Sequence, residues 1–267
     1  MITDPAASDD TEPGRTTGND DDAASAGPHP GAATSDTVAP WPSVTPHVQP
    51  DRPAQPARLD RLSGAAPSPA TLGGLVVGGA AVTAAVPTTF PADGDATEFD
   101  QVVRGPVNAA LDPRPWIAEV FALASNTWVV FALLLSGAAW FAWQRRWWET
   151  GTMVVVPEVA VSINTWVLKP WWGRPLHDYL AYPSGHTVHL IAVATTFLLL
   201  IESARARIVL VLLTVFAWTV AGAGMVALDY HLPTDVVGGA GAAVALSAGL
   251  YWVFAAGHRG LAGSRRI

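Results

Sequence analysis

Apolar residues in this chain are gathered into long runs instead of recurring at the intervals of a half-buried helix or strand. Five runs, roughly 119–143, 150–168, 187–203, 208–228 and 236–256, reach or approach the about 20 mostly apolar residues that a bilayer-spanning helix needs. A sixth, TLGGLVVGGAAVTAAVP at 71–87, is shorter and rich in glycine. Short polar connectors separate the runs, which argues against one large soluble helical core. The pattern predicts an all-α, polytopic membrane helical bundle of about six transmembrane helices, occupying residues 71–257.

Before residue 71 the pattern inverts. Residues 1–70 are rich in Asp, Pro, Ala, Ser and Thr, with almost no large apolar side chain before Trp41. Such a segment buries too little surface to offset chain entropy, so it is expected to be a disordered, acidic, Pro/Ala-rich tail. A first apolar run placed this far into the chain does not look like a cleavable signal peptide. Residues 258–267 are expected to form a short basic tail.

Composition narrows the function classes. Charged residues make up 14% of the chain, against about 25% in a soluble domain. The formal charge of −7 comes largely from the polar tail and says little about partners of the rest. With no cysteine, disulfides, thiolate metal sites and cysteine nucleophiles are excluded. No basic, aromatic-interleaved stretch points to nucleic acid.

Arginine placement sets the expected orientation. Arg145 and Arg146, Arg205 and Arg207, and Arg259, Arg265 and Arg266 fall on one side if the spans alternate, and Arg52, Arg58 and Arg61 join them. That side is expected to be cytoplasmic, carrying both termini, in the plasma membrane. Segments 88–118, 169–186 and 229–235 then face outside. Lys169, the only lysine, and Arg174 break the positive-inside trend, so topology alone does not explain them.

Three pieces on that outer face carry chemistry. In AYPSGHTVHL, Ser184 is a good N-cap for the run that follows, and a helix start offers unpaired N–H groups to an anion. His186 falls in its first turn. His189 is three residues on; a His-x-x-His metal pair lacks further ligands nearby, and His189 is read as a membrane-interface residue. In LDYHLPTDVV, His231 and Asp235 are four apart, the spacing at which a carboxylate can hold an imidazole. In KPWWGRP, Lys169 and Arg174 can neutralise an anion.

In order and topology these pieces resemble the type 2 phosphatidic acid phosphatase superfamily, whose pattern is Lys-x6-Arg-Pro, Pro-Ser-Gly-His, then Ser-Arg-x5-His-x3-Asp. The resemblance spans roughly 115–257. Pro183, Ser184, Gly185 and His186 complete the middle motif, and His231 and Asp235 the end of the third. Two departures stand out. Arg174-Pro175 lies two positions early, leaving Leu176 where the arginine belongs, and Gly224-Met225 replaces Ser-Arg.

The resemblance implies a phosphatase-type helical core and a phosphatase that needs no metal or other cofactor. His231 would be the nucleophile, Asp235 its orienting carboxylate and His186 the general acid. Lys169, Arg174, Ser184 and Gly185 would bind phosphate. The implied substrate is a membrane lipid phosphate or polyprenyl (pyro)phosphate. The same residues would also suit a lipid-phosphate-binding protein without turnover, a reading that Leu176 and Met225 favour, or the related vanadium haloperoxidases, against which the several spans argue.

Other features match no motif position. Glu158, inside the run 150–168, is a functional-site candidate by its depth, although Pro157 and Asn164 nearby suit a helix-packing or water-contact role. Trp147, Trp148, Trp171 and Trp172 fall at span ends, as an aromatic belt would. His177, Asp178 and Asp229 lie close to the site in sequence only.

Overall fold

A computed structural model describes residues 67–264, with side chains to residue 259. The expected polar tail, up to residue 66, lies outside the described residues, as do Arg52, Arg58, Arg61, Arg265 and Arg266 of the orientation argument. The described chain is helical almost throughout. Its helices are α1 (Pro69–Ala85), α2 (Glu98–Leu111), α3 (Pro115–Ala122), α4 (Thr127–Trp143), α5 (Trp147–Ile163), α6 (Lys169–Trp172), α7 (Gly185–Leu200), α8 (Ala204–Ala227) and α9 (Pro233–Ser264). One small antiparallel hairpin, β1 (Pro175–Leu176) and β2 (Tyr179–Leu180), precedes α7.

Polar residues in the connectors start the helices. Ser68, Asn126 and Ser203 cap α1, α4 and α8 through side-chain oxygens that accept from the first turn. Five helical stretches are long and apolar enough to cross a membrane, and α7 is a shorter apolar helix, which agrees with the expected bundle of about six. The run 119–143 is broken: α3 ends in a 3-10 turn at Leu123–Ser125 before α4 begins. Chain from 258 to 264 continues α9 as helix.

Burial separates lipid-facing from packed surfaces. On α8, Ile208, Val209, Leu212, Leu213, Val215 and Phe216 are exposed, which in water would be an aggregation liability and in a bilayer is the ordinary outer surface. By contrast α7 is enclosed by its neighbours. Val130, Leu134 and Phe141 of α4, Met153 of α5 and Leu190 and Val193 of α7 form one buried cluster. Ala160 of α5, Val188 and Ala192 of α7 and Ala242 and Ala243 of α9 form a second.

Close helix approach rests on glycine. A Cβ on Gly79 of α1 would lie 2.6 Å from the Gly241 carbonyl oxygen of α9, so only glycine allows this crossing. Between lipid-embedded helices, where apolar burial gives little net drive, such backbone proximity supplies the packing.

Candidate active site

Two helix starts meet at one end of the bundle. Before α7, the Ser184 Oγ accepts from the Thr187 N–H at 3.4 Å. Before α9, the Leu232 N–H donates to Asp235 Oδ2 at 2.9 Å. The Ser184 N–H donates to the Asp235 carbonyl at 3.1 Å, tying one start to the other. Gly239 permits the approach, since a Cβ there would come within 2.9 Å of the Ser184 carbonyl oxygen.

This registration sets His186 and His231 edge to face, with ring centroids 5.8 Å apart. His231 is buried, with Nδ1 3.8 Å from Asp235 Oδ2 and no hydrogen-bond partner among the described residues. His186 is exposed. Both rings line a cavity of about 410 Å³, together with Lys169, Gly185 and Tyr179. Lys169 donates to the Leu180 carbonyl, which holds its ammonium at the cavity and leaves two N–H groups to spare. The N–H groups of Gly185 and His186, in the first turn of α7, have no helical acceptor.

Residues 163–259 match the family model of the PAP2 superfamily. No curated protein matches the chain. Among solved structures the chain is similar to the first transmembrane PAP2 type phosphatidylglycerolphosphate phosphatase from Bacillus subtilis, with 19% identity and a TM-score of 0.51. The likeness covers 70% of this chain and 96% of that one, and it is a likeness of fold. With its apolar helices the chain is an integral membrane protein, and over residues 163–259 it is similar to the PAP2 superfamily, as its motifs led one to expect.

Against the superfamily pattern, the phosphate-binding candidates divide. Lys169 and Gly185 reach the cavity; Ser184 and Arg174 do not line it. Ser184 is fully buried, its hydroxyl engaged as the N-cap. Arg174 corrects the expectation more sharply. Its Nη1 donates to Asp235 Oδ1 at 2.9 Å and Thr234 Oγ1 at 2.6 Å, and its Nη2 to Asp100 Oδ2 at 3.2 Å and the Asp95 carbonyl at 2.9 Å. Nε donates to the Gly94 carbonyl at 3.1 Å, and the Phe90 ring packs on the guanidinium at 3.9 Å. All five donors are committed to protein, so no fork remains for a phosphate. Arg174 grips the carboxylate that faces His231 Nδ1.

The other departure also has a packing cause. A Cβ on Gly224 would lie 2.6 Å from the Ala118 carbonyl oxygen, so a serine here would collide with α3. Met225 is buried, with Sδ 3.6 Å from Ser125 Oγ in the 3-10 turn that follows. Thus α3 and its terminal turn fill the place where the pattern puts a serine and an arginine.

Several participants were not anticipated. Asp100 opens α2, where Thr97 and Asp100 form a reciprocal capping box. Burial pushes its carboxyl up, but hydrogen bonds from Thr234 and Thr97 outweigh that and hold it below the usual carboxylate range. The Thr97-x-x-Asp100 spacing was the available signal. His189 and Glu158, read separately in the sequence, pair at 3.1 Å and both line the cavity. His177 and Asp229, each at positive φ, pair at 3.3 Å, and Arg104 Nη2 reaches Asp229 Oδ1 at 2.6 Å, which fastens the hairpin to the loop before His231. Among the described residues, no three His, Cys, Asp or Glu side chains gather as a metal-binding group.

Proposed function

We propose that this protein is a membrane phosphatase that cleaves a lipid phosphate ester through a phosphohistidine intermediate. Nε2 of His231 attacks phosphorus as the ester P–O bond breaks. His186, as the acid, gives its proton to the departing alkoxide. Water, deprotonated by the same imidazole, then attacks phosphorus, the N–P bond breaks, phosphate leaves and His231 is restored. Asp235 faces Nδ1 of His231, so the nitrogen left for attack is Nε2, and Arg174 keeps that carboxylate in place. Lys169 and the N–H groups at the start of α7 offset charge on the transferring group.

The observation that carries this reading is the pair of imidazoles 5.8 Å apart at one cavity, backed by a carboxylate and faced by the one lysine. The fold neighbour's own substrate, phosphatidylglycerolphosphate, supports a lipid phosphate, and a polyprenyl (pyro)phosphate is the other candidate. Arginine placement supports a plasma-membrane protein with cytoplasmic termini and the site outside. The test is phosphate release from these lipids by the purified protein with and without EDTA. Metal-independent turnover is expected, and complete dependence on added metal would overturn the cofactor-free reading.

A second reading, lipid-phosphate binding without hydrolysis, is favoured by one observation: Leu176, Met225 and the fully engaged Arg174 leave Lys169 as the single cation lining the cavity. Tight binding without turnover across the same lipids would select it.

A further inference from the structure

The cavity that holds both imidazoles carries a second polar pair that the phosphoryl-transfer scheme does not use. Glu158 of α5 and His189 of α7 join at 3.1 Å, and the Phe131 ring packs edge-on to His189 with centroids 5.1 Å apart. His189 lies three residues past His186, about 4.5 Å further along α7 toward the bilayer interior. The hydrogen bond pins one carboxylate oxygen of Glu158, while its Oε2 takes part in no hydrogen bond among the described residues and the side chain remains partly exposed to the cavity. A carboxylate at this depth is costly unless it is used or paired. Here it is paired on one oxygen and open on the other.

Charge around His186 limits what can lie beside the phosphate. Lys169 is the cation lining this cavity, and a neighbouring cavity of about 220 Å³, also lined by His186, has Glu119 in its wall. One ammonium and a helix start suit one phosphate group; a second joined directly to it, as in a pyrophosphate, would be driven against Glu158. A carboxylate oxygen instead favours a hydrogen-bond donor.

We infer that the Glu158–His189 pair is an acceptor subsite for a hydroxyl or ammonium group on the alcohol part of a phosphate monoester, adjacent to the ester carbon. This deepens and rests on the phosphatase reading. The substrate class it names is a lipid phosphate monoester with a donor beside that phosphate, in preference to a polyprenyl pyrophosphate, which has none. Sites built to bond a substrate hydroxyl discriminate strongly against analogues lacking it, because their polar groups are then left unpaired.

The test compares a lysophosphatidic acid with an alkyl phosphate of matched length that lacks the hydroxyl, in the same mixed micelles, using the full-length protein. The ratio of kcat/KM values is expected to be about tenfold or more in favour of the hydroxyl-bearing lipid. In Glu158→Ala that ratio should fall to within about twofold of unity, and in Glu158→Gln by at least about threefold. Equal turnover of both lipids by the unaltered protein, or a full preference surviving in Glu158→Ala, overturns the subsite. If Glu158→Ala is not monodisperse, Glu158→Gln decides. Failure to hydrolyse these two lipids together with phosphatidylglycerolphosphate and the polyprenyl (pyro)phosphates refutes the phosphatase reading separately. Calorimetric binding of the two phosphates then decides the subsite, with the same preference expected and equal affinity contradicting it.

Discussion

Lys169 and Arg174 are five residues apart on the same approach to α7, and the regions they occupy are organised in opposite ways. Arg174 sits in a closed seam between the start of α2 and the start of α9, where every guanidinium donor has a protein acceptor. Lys169 sits at the cavity, holding one backbone carbonyl and keeping donors to spare. A cation whose donors are spent is part of the scaffold, and one with donors left over can serve a ligand. Charge and proximity in sequence do not separate these cases; counting the acceptors does.

The contrast can be broken by paired substitutions. Arg174→Ala strands Asp100 and Asp235 as buried carboxylates, and losing one partner of a buried ion pair costs about 3–5 kcal/mol. Thermal unfolding of the detergent-solubilised protein should show that loss. Lys169→Ala should leave the unfolding temperature nearly unchanged and lower kcat/KM by about 10²-fold, the scale of one lost transition-state donor. If Arg174→Ala weakens activity with no loss of stability, the assigned roles are reversed.

Asp100→Asn sharpens the seam's side of the comparison. The folded pKa of Asp100 lies below its unfolded value, so its contribution is complete above the unfolded pKa of about 3.9 and is lost as pH falls through the folded one. Asp100→Asn should cost about 1–3 kcal/mol at neutral pH and flatten the decline in stability on acidification. An unchanged acid profile would contradict this. A cost of similar size is expected at Gly224→Ala, where a methyl group meets the α3 backbone at 2.6 Å and overpacking costs about 1–3 kcal/mol. A neutral outcome in unfolding experiments would show that α3 yields.

Much of the fold was legible because membrane spans advertise themselves by length and composition, and because Ser184 and Pro233 mark helix starts in plain sequence. His186, His231 and Asp235 were legible for the same reason: each is fixed relative to its own helix start. What escaped was set by distance along the chain. Asp100 meets Arg174 across 74 positions and Thr234 across 134, and α2 lies in a stretch read only as a connector. Glu158 and His189 are 31 apart on different helices, so neither spacing nor periodicity joins them. Gly224 looked like a lost serine until the α3 backbone was seen against it.

The central claim is that His231 carries the phosphoryl group. The direct measurement is covalent capture: incubate the protein with a ³²P-labelled lipid phosphate, denature at alkaline pH and map the label. Alkali-stable label on His231 is expected, accumulating when His186→Ala slows water attack and absent from His231→Ala, whose phosphate release should fall at least about 10²-fold. Normal turnover by His231→Ala, or label on another residue, would contradict the account.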